Sequence, residues 1–251
     1  MTSRRPPALV YGRNPVREAI RAATPVRRIV VLAGAPDEAR LREILDAAAE
    51  RGIPVEQASR PELDAITHTD SHQGVVAYVG RRQYLELREL VAGLPEDALL
   101  VVLDGIQDPQ NLGSICRTAE AAGAHGLVIP RHRSAEVTPA VAKASAGAVE
   151  HLAIAQVGGI PEALAQLREA GFWSVGLAAE ADQDYAACRY DGRLAIVVGA
   201  EGAGLHRLVR ERCDQLVRLP MHGRVGSLNA SVAFAIVIYE AIRQRGAAAG
   251  K

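Results

Sequence analysis

An α/β fold built on a parallel sheet, with a smaller α/β module ahead of it, is what this chain predicts. Between residues 98 and 243, short runs that are apolar throughout, such as LLVVL (99–103), GLVIP (126–130) and LAIVV (194–198), alternate with helical stretches. Strands of that kind are buried on both faces, as in a parallel sheet covered by helices. The residues before 80 repeat the alternation as strand, helix, strand, helix, strand on a smaller scale. A length of 251 residues and 49% apolar composition can bury the cores of two modest domains.

The elements follow in order. Residues 1–8 are polar and proline-bearing and form a tail. Asn14-Pro15 fits an N-cap and a first helical position, opening a helix to residue 22. Strand 28–33 (RIVVLA), helix 37–51, strand 53–57, helix 60–66 and strand 74–79 complete the first module. Residues 81–97 (RRQYLELRELVAGLPED) carry charge, one weak helix and a Gly…Pro ending. They are read as a linker, so that the domains are 1–80 and 98–251. Strands are then expected at 99–103, 126–130, 152–156, 172–177, 194–198 and 215–219, and helices at 112–122, 139–145, 161–170, 204–211 and 229–243. The last helix, ASVAFAIVIYEAIRQR, is apolar around nearly its whole circumference up to Arg243. A helix on the outside of a monomer keeps a polar face, so this one is expected to be buried on more than one side, in the core or against a second copy.

Bulk composition excludes several classes. Formal net charge is zero, with 14 Lys/Arg against 13 Asp/Glu up to Glu96 and 15 against 16 beyond it, so a nucleic-acid partner must be met by local patches. Arg4-Arg5, Arg27-Arg28 and Arg81-Arg82 are small basic pairs of that kind. Cys116, Cys188 and Cys213 are irregularly spaced and never in a CxxC pair, which argues against a disulfide framework or zinc site. His68 and His72 share a helical spacing, but the Thr, Asp and Ser around them favour a turn, so no metal is expected. The N-terminus lacks the apolar segment of a signal peptide and no apolar run reaches membrane-spanning length; a cytoplasmic protein with no membrane partner is expected.

Three loops carry the chemistry, each following a strand: DGIQDPQN (104–111), GAEGAG (199–204) and PMHGRVGSLN (220–229). In parallel sheets ligands settle outside the carboxyl ends of the strands. The chain has no GxxxxGK[ST], no GxSxG, and no GxGxxG after strand 99–103, which removes the common phosphate-loop, hydrolase and dinucleotide templates. The loops and the helix after the first of them present Asn111, Arg117, Glu201, Ser227 and Asn229. Individually these have ordinary structural roles: Asn111 and Asn229 as helix N-caps, Ser227 in a turn, Arg117 on a surface. Together they supply amide and hydroxyl hydrogen bonding, one guanidinium fork and one carboxylate, a set suited to a hydroxylated, anionic, planar substrate.

NLGSICRTA (111–119), VGAEGAGL (198–205) and LPMHGRVGSLNASVA (219–233) resemble, in order and spacing, the three motifs of the SpoU (TrmH) RNA ribose 2′-O-methyltransferases of the SPOUT superfamily. YGRNPVREAI (11–20) and HQGVVAYV (72–79) resemble the L30e-like RNA-binding domain of the subgroup that modifies a guanosine of 23S rRNA. The resemblance implies a deep trefoil knot in the C-terminal sheet, S-adenosylmethionine as cofactor, and a homodimer with the active site at the subunit interface. It implies that Asn111, Arg117, Glu201, Ser227 and Asn229 are the catalytic polar set and that Gly199, Leu219 and Leu228 line the cofactor pocket. It casts the motif-one arginine, Arg117, as general base. A guanidinium has no acceptor while protonated, so a phosphate clamp that steadies the developing alkoxide stands beside that role. Glu201 then orients Arg117 or braces its own loop. A tRNA or other rRNA ribose as target, and a catalytically silent RNA-binding dimer, are the alternatives.

Overall fold

The computed structural model describes residues 8–22, 24–36, 38–80 and 82–249. Residues 1–7 of the expected tail, the Arg4-Arg5 pair and Arg81 lie outside the described residues. The chain divides into two compact units, one of Met1–Gln83 with Val137–His151, the other of Tyr84–Glu136 with Leu152–Lys251.

The first unit contains β1 (Ala8–Tyr11), α1 (Arg13–Arg21), β2 (Val26–Leu32), α2 (Ala39–Glu50), β3 (Val55–Ala58), α3 (Arg60–Thr67) and β4 (Val75–Val79). Its sheet has the order β1-β4-β2-β3, with β4 antiparallel to both neighbours and β2 parallel to β3. β1 was not expected: four residues beside a polar tail are too short to show a period. Helix α1 starts earlier than its sequence suggests, because Gly12, at φ 94°, turns the chain in a way side chains resist, and Gln73 Oε1 accepts the Arg13 amide at 2.9 Å. Asn14 is therefore not the cap, and Pro15 sits inside the first turn, where a missing N–H costs nothing. The two histidines do not converge. His68 ends α3 in the left-handed conformation, and His72 is buried with Nε2 2.9 Å from Asp64 and Nδ1 accepting the Gly74 amide at 2.9 Å. Among the described residues no group of three or more His, Cys, Asp or Glu is arranged to hold a metal.

The second unit opens with α4 (Leu87–Val91) and runs through β5 (Leu99–Asp104), α5 (Pro109–Ala121) and β6 (Gly126–Pro130). After α6 (Pro139–Ala144), which belongs to the first unit, come β7 (Ile154–Val157), α7 (Ile160–Glu169), β8 (Trp173–Leu177), β9 (Gln183–Asp184), β10 (Leu194–Gly199), α8 (Arg207–Arg212), β11 (Gln215–Arg218) and α9 (Ala230–Ala249). Within segment 81–97, Leu85 exchanges backbone hydrogen bonds with Ile154 and Gln156 at 2.9 and 3.0 Å, and Leu87 and Leu90 are buried in this unit's core. The sheet order is β7-β6-β5-β10-β8-β11-β9 and every pairing is parallel, as the apolar strands require. Burial of Leu100, Val102, Ala195 and Val197 with Leu164 and Leu167 of α7 and with Phe172, in the turn that follows it, holds one face.

Two features of this unit position the site. β5 and β10 are neighbours, paired from Leu99↔Leu194 to Leu103↔Val198 and Asp104↔Gly199, so the loops that follow them leave the same edge side by side. Helix α9 buries Ala230, Phe234, Val237, Ile238 and Ala241, but leaves Val232, Ile236 and Tyr239 exposed in one stripe. Within the chain it is thus covered by the core on one side only.

Candidate active site

Helix α5 begins three residues before the expected Leu112. Asp108 caps it, accepting the amides of Gln110 and Asn111 at 3.1 Å each, and Pro109 takes the first position. Asn111 is thereby released from capping, and its buried side chain makes other bonds. Its Nδ2 donates to Glu201 Oε2 at 3.1 Å and its Oδ1 accepts from Asn229 Nδ2 at 2.8 Å. The Asn229 Oδ1 in turn accepts from the Ser231 amide (2.9 Å) and hydroxyl (2.7 Å), capping α9. The three loops are therefore joined by a hydrogen-bonded chain, Glu201–Asn111–Asn229–Ser231, in which every amide atom of Asn111 has an assigned sense. Asn229 keeps the ordinary capping role and adds a second one; Asn111 does not cap.

Beside this chain lies an open cleft of about 210 Å³. Gly199, Leu219 and Leu228 line it together with Glu201 and Ser227, and Leu177, Ala178 and Met221 add apolar wall. The loop after β10 folds back on itself, Ala200 and Gly204 exchanging two backbone hydrogen bonds of 3.0 and 2.8 Å, with Gly202 and Gly204 at φ 75° and 67°. A Cβ on Gly199 would overlap the Gly204 carbonyl and the Leu205 amide, so only glycine lets this loop close. Ser227 is exposed and makes no hydrogen bond to a described residue. At the rim, Glu180 is ion-paired with Arg210.

Arg117 is exposed on α5 and has no hydrogen bond or ion pair with any described residue. Within the chain the Glu201 carboxylate accepts from Asn111 and makes no bond to Arg117. Of the five catalytic candidates, the fold joins Asn111, Glu201 and Asn229 directly, seats Ser227 on the cleft, and leaves Arg117 outside the cleft lining.

The sequence reading missed Asp104 and His206. Asp104, 5% exposed, closes β5; its Oδ2 accepts the His206 amide at 2.7 Å and its Oδ1 lies 2.9 Å from His206 Nδ1. It locks the end of the glycine loop to the start of the Asn111 loop. The available signal was a carboxylate ending an otherwise apolar strand, LLVVLD, where burial without partners is too costly to occur. Asp104→Ala is expected to leave the His206 amide unsatisfied and lower stability by about 2 kcal/mol, read from urea unfolding; an unchanged midpoint would show the lock to be idle. Cys213, nearby, is no nucleophile: burial, followed by the neighbouring Asp214 and Asp104 carboxylates, pushes its thiol up to about 12.

The model of the SpoU rRNA Methylase family matches residues 98–239, more than half of the chain and all of the site just built. The chain belongs to the SpoU rRNA methylase family. A second family, RNA 2′-O ribose methyltransferase substrate binding, matches residues 9–85. The chain is 41% identical over 239 residues to YacO of Bacillus subtilis, a protein named for the TrmH family of tRNA/rRNA methyltransferases, covering 94% of this chain and 95% of YacO. Among solved structures it is similar to the SpoU methyltransferase AviRb of Streptomyces viridochromogenes in complex with the cofactor AdoMet (TM-score 0.77, 31% identity, 94% and 89% of the two chains). It is also similar to an AdoMet-bound rRNA methyltransferase of Sinorhizobium meliloti (TM-score 0.79, 27% identity, 94% and 87%). In this SpoU chain two of the motif loops line the cleft, and the first is tied to them beside it through Asn111.

Proposed function

We propose that this chain transfers the methyl group of S-adenosylmethionine to the 2′-hydroxyl of a guanosine ribose in 23S rRNA, working in the cytoplasm as a homodimer. The observation that carries the reading is the Glu201–Asn111–Asn229 chain beside the cleft, because it ties the first loop to the two that line a pocket whose back wall tolerates only glycine. The cleft suits the cofactor chemically: small apolar walls at Leu177, Ala178, Leu219 and Leu228 for a purine and thioether, glycine-loop backbone for polar edges, and the Glu201 carboxylate for a cationic group. Bound there, the cofactor supplies an electrophilic methyl for in-line displacement.

The chain's own residues then align the partners and stabilise the charge that develops as the hydroxyl proton passes to water. Asn111 and Asn229 hold the loops in register, so that the ribose meets a preset geometry. Ser227, with no hydrogen bond to a described residue, is available to the nucleoside. Arg117, with no hydrogen bond or ion pair to a described residue, reaches for a phosphate and stabilises negative charge as the hydroxyl loses its proton to water. The exposed Val232, Ile236 and Tyr239 stripe, with exposed Met221, Val225 and Leu228, supports a second copy as its cover. The deep trefoil knot and the substrate-binding role of residues 1–80 belong to the same reading.

The test is a transfer assay with methyl-labelled S-adenosylmethionine and unmodified transcripts of 23S rRNA and of tRNA. Label is expected in 23S rRNA alone, on ribose, protecting one phosphodiester 3′ of a guanosine from alkali. Label in tRNA alone would reassign the substrate, and cofactor binding without transfer to either would favour a silent RNA-binding dimer.

A further inference from the structure

We propose that Arg133, with His132 beside it, forms a phosphate-binding rim that receives the RNA backbone on the Asn111 side of the cleft; the inference rests on the RNA reading above and adds residues to it. β6 pairs in parallel with β5, so the loop after β6 (RHRSAE, residues 131–136) leaves the sheet next to the loop that carries Asp108 and Asn111. The two loops are tied directly, the Ala135 amide donating to the Ile106 carbonyl at 2.8 Å.

Arg131, His132 and Arg133 are all exposed. Arg131 is neutralised by Glu86 at 2.9 Å, whereas His132 and Arg133 have no hydrogen bond or ion pair with any described residue. Glu136, on the same loop, is the exposed carboxylate that partly offsets them.

Arg133 is also in the left-handed region, at φ 57°. That conformation is uncommon for side-chain-bearing residues, and glycine would adopt it freely. The loop thus carries backbone strain while holding a guanidinium that makes no hydrogen bond or ion pair with a described residue. An unpaired planar fork, held beside a substrate loop, matches the geometry of a phosphate diester, and such contacts set the register of a nucleic acid without reading its sequence.

Arg133→Gly separates this role from a structural one, since it removes the guanidinium and relieves the strain together. In the full chain its Tm is expected to equal or exceed that of the parent, with unchanged S-adenosylmethionine affinity. Binding of a 23S rRNA transcript is expected to weaken about tenfold at low salt, and the slope of log K against log salt to flatten by about one. Arg133→Lys, which keeps the charge but not the fork, is expected to fall between the two. Unaltered RNA affinity and slope in Arg133→Gly, or a fall in its Tm, would overturn the rim. A parent protein that neither binds nor methylates the transcript would instead remove the RNA reading itself, and the rim with it.

Discussion

Gly199→Ala is expected to abolish measurable S-adenosylmethionine binding in calorimetry and to destabilise the protein by about 3 kcal/mol or more, because the added methyl meets backbone that cannot move aside. The atoms it would strike are the Gly204 carbonyl and the Leu205 amide, which the Ala200–Gly204 hydrogen bonds hold in place. Gly204→Ala is the matched control. Nothing lies within 4 Å of its added Cβ, so the cost is only that of a side chain at φ 67°, about 1 kcal/mol. Should Gly199→Ala retain both cofactor affinity and unfolding midpoint, the glycine loop is not the wall of the cofactor site.

Arg117→Ala is expected to lower single-turnover methyl transfer by about 10²- to 10³-fold, the range found when one preorganised donor to a developing charge is removed. Cofactor affinity and Tm should stay at parental values, because Arg117 neither lines the cleft nor bonds to any described residue. Arg117→Lys should recover part of the rate if the group acts as a cation on phosphate or alkoxide, since the charge survives and only the fork is lost. A parental single-turnover rate in Arg117→Ala would remove the residue from the chemistry.

Much of the fold was legible because its signals are local. Strands such as LLVVL and LAIVV are apolar on every residue, and that alone marks burial on both faces. The misses have equally local reasons. At 108–111, Asp-Pro-Gln-Asn offers two candidate caps, and choosing Asn111 delayed the helix by a turn; proline after Asp108 was the deciding cue. β1 and β9 are too short to carry a period. The apolar circumference of α9 could not say which side its own chain would cover. The segment Val137–His151 follows β6 in sequence yet packs with the first unit, where Thr24 and Arg82 both bond to Glu150 at 3.0 and 3.1 Å; no compositional boundary marks it.

By itself the sequence determined which residue types stand at the ends of which strands: the Asn, Glu and Ser of three motif loops, the glycines of 199–204, and a parallel sheet to carry them. Only the tertiary structure decided who bonds to whom. Asn111 and Glu201 are 90 residues apart and meet because β5 and β10 are neighbours in the sheet, while Asn111 and Asn229, 118 apart, meet because α9 packs on α5. Strand adjacency is a property of long-range backbone pairing, for which a run of apolar residues is equally suited beside any other. For the same reason Asp104 and His206, each unremarked along the chain, became a lock between loops, and Arg117 stands exposed with no bond to any described residue.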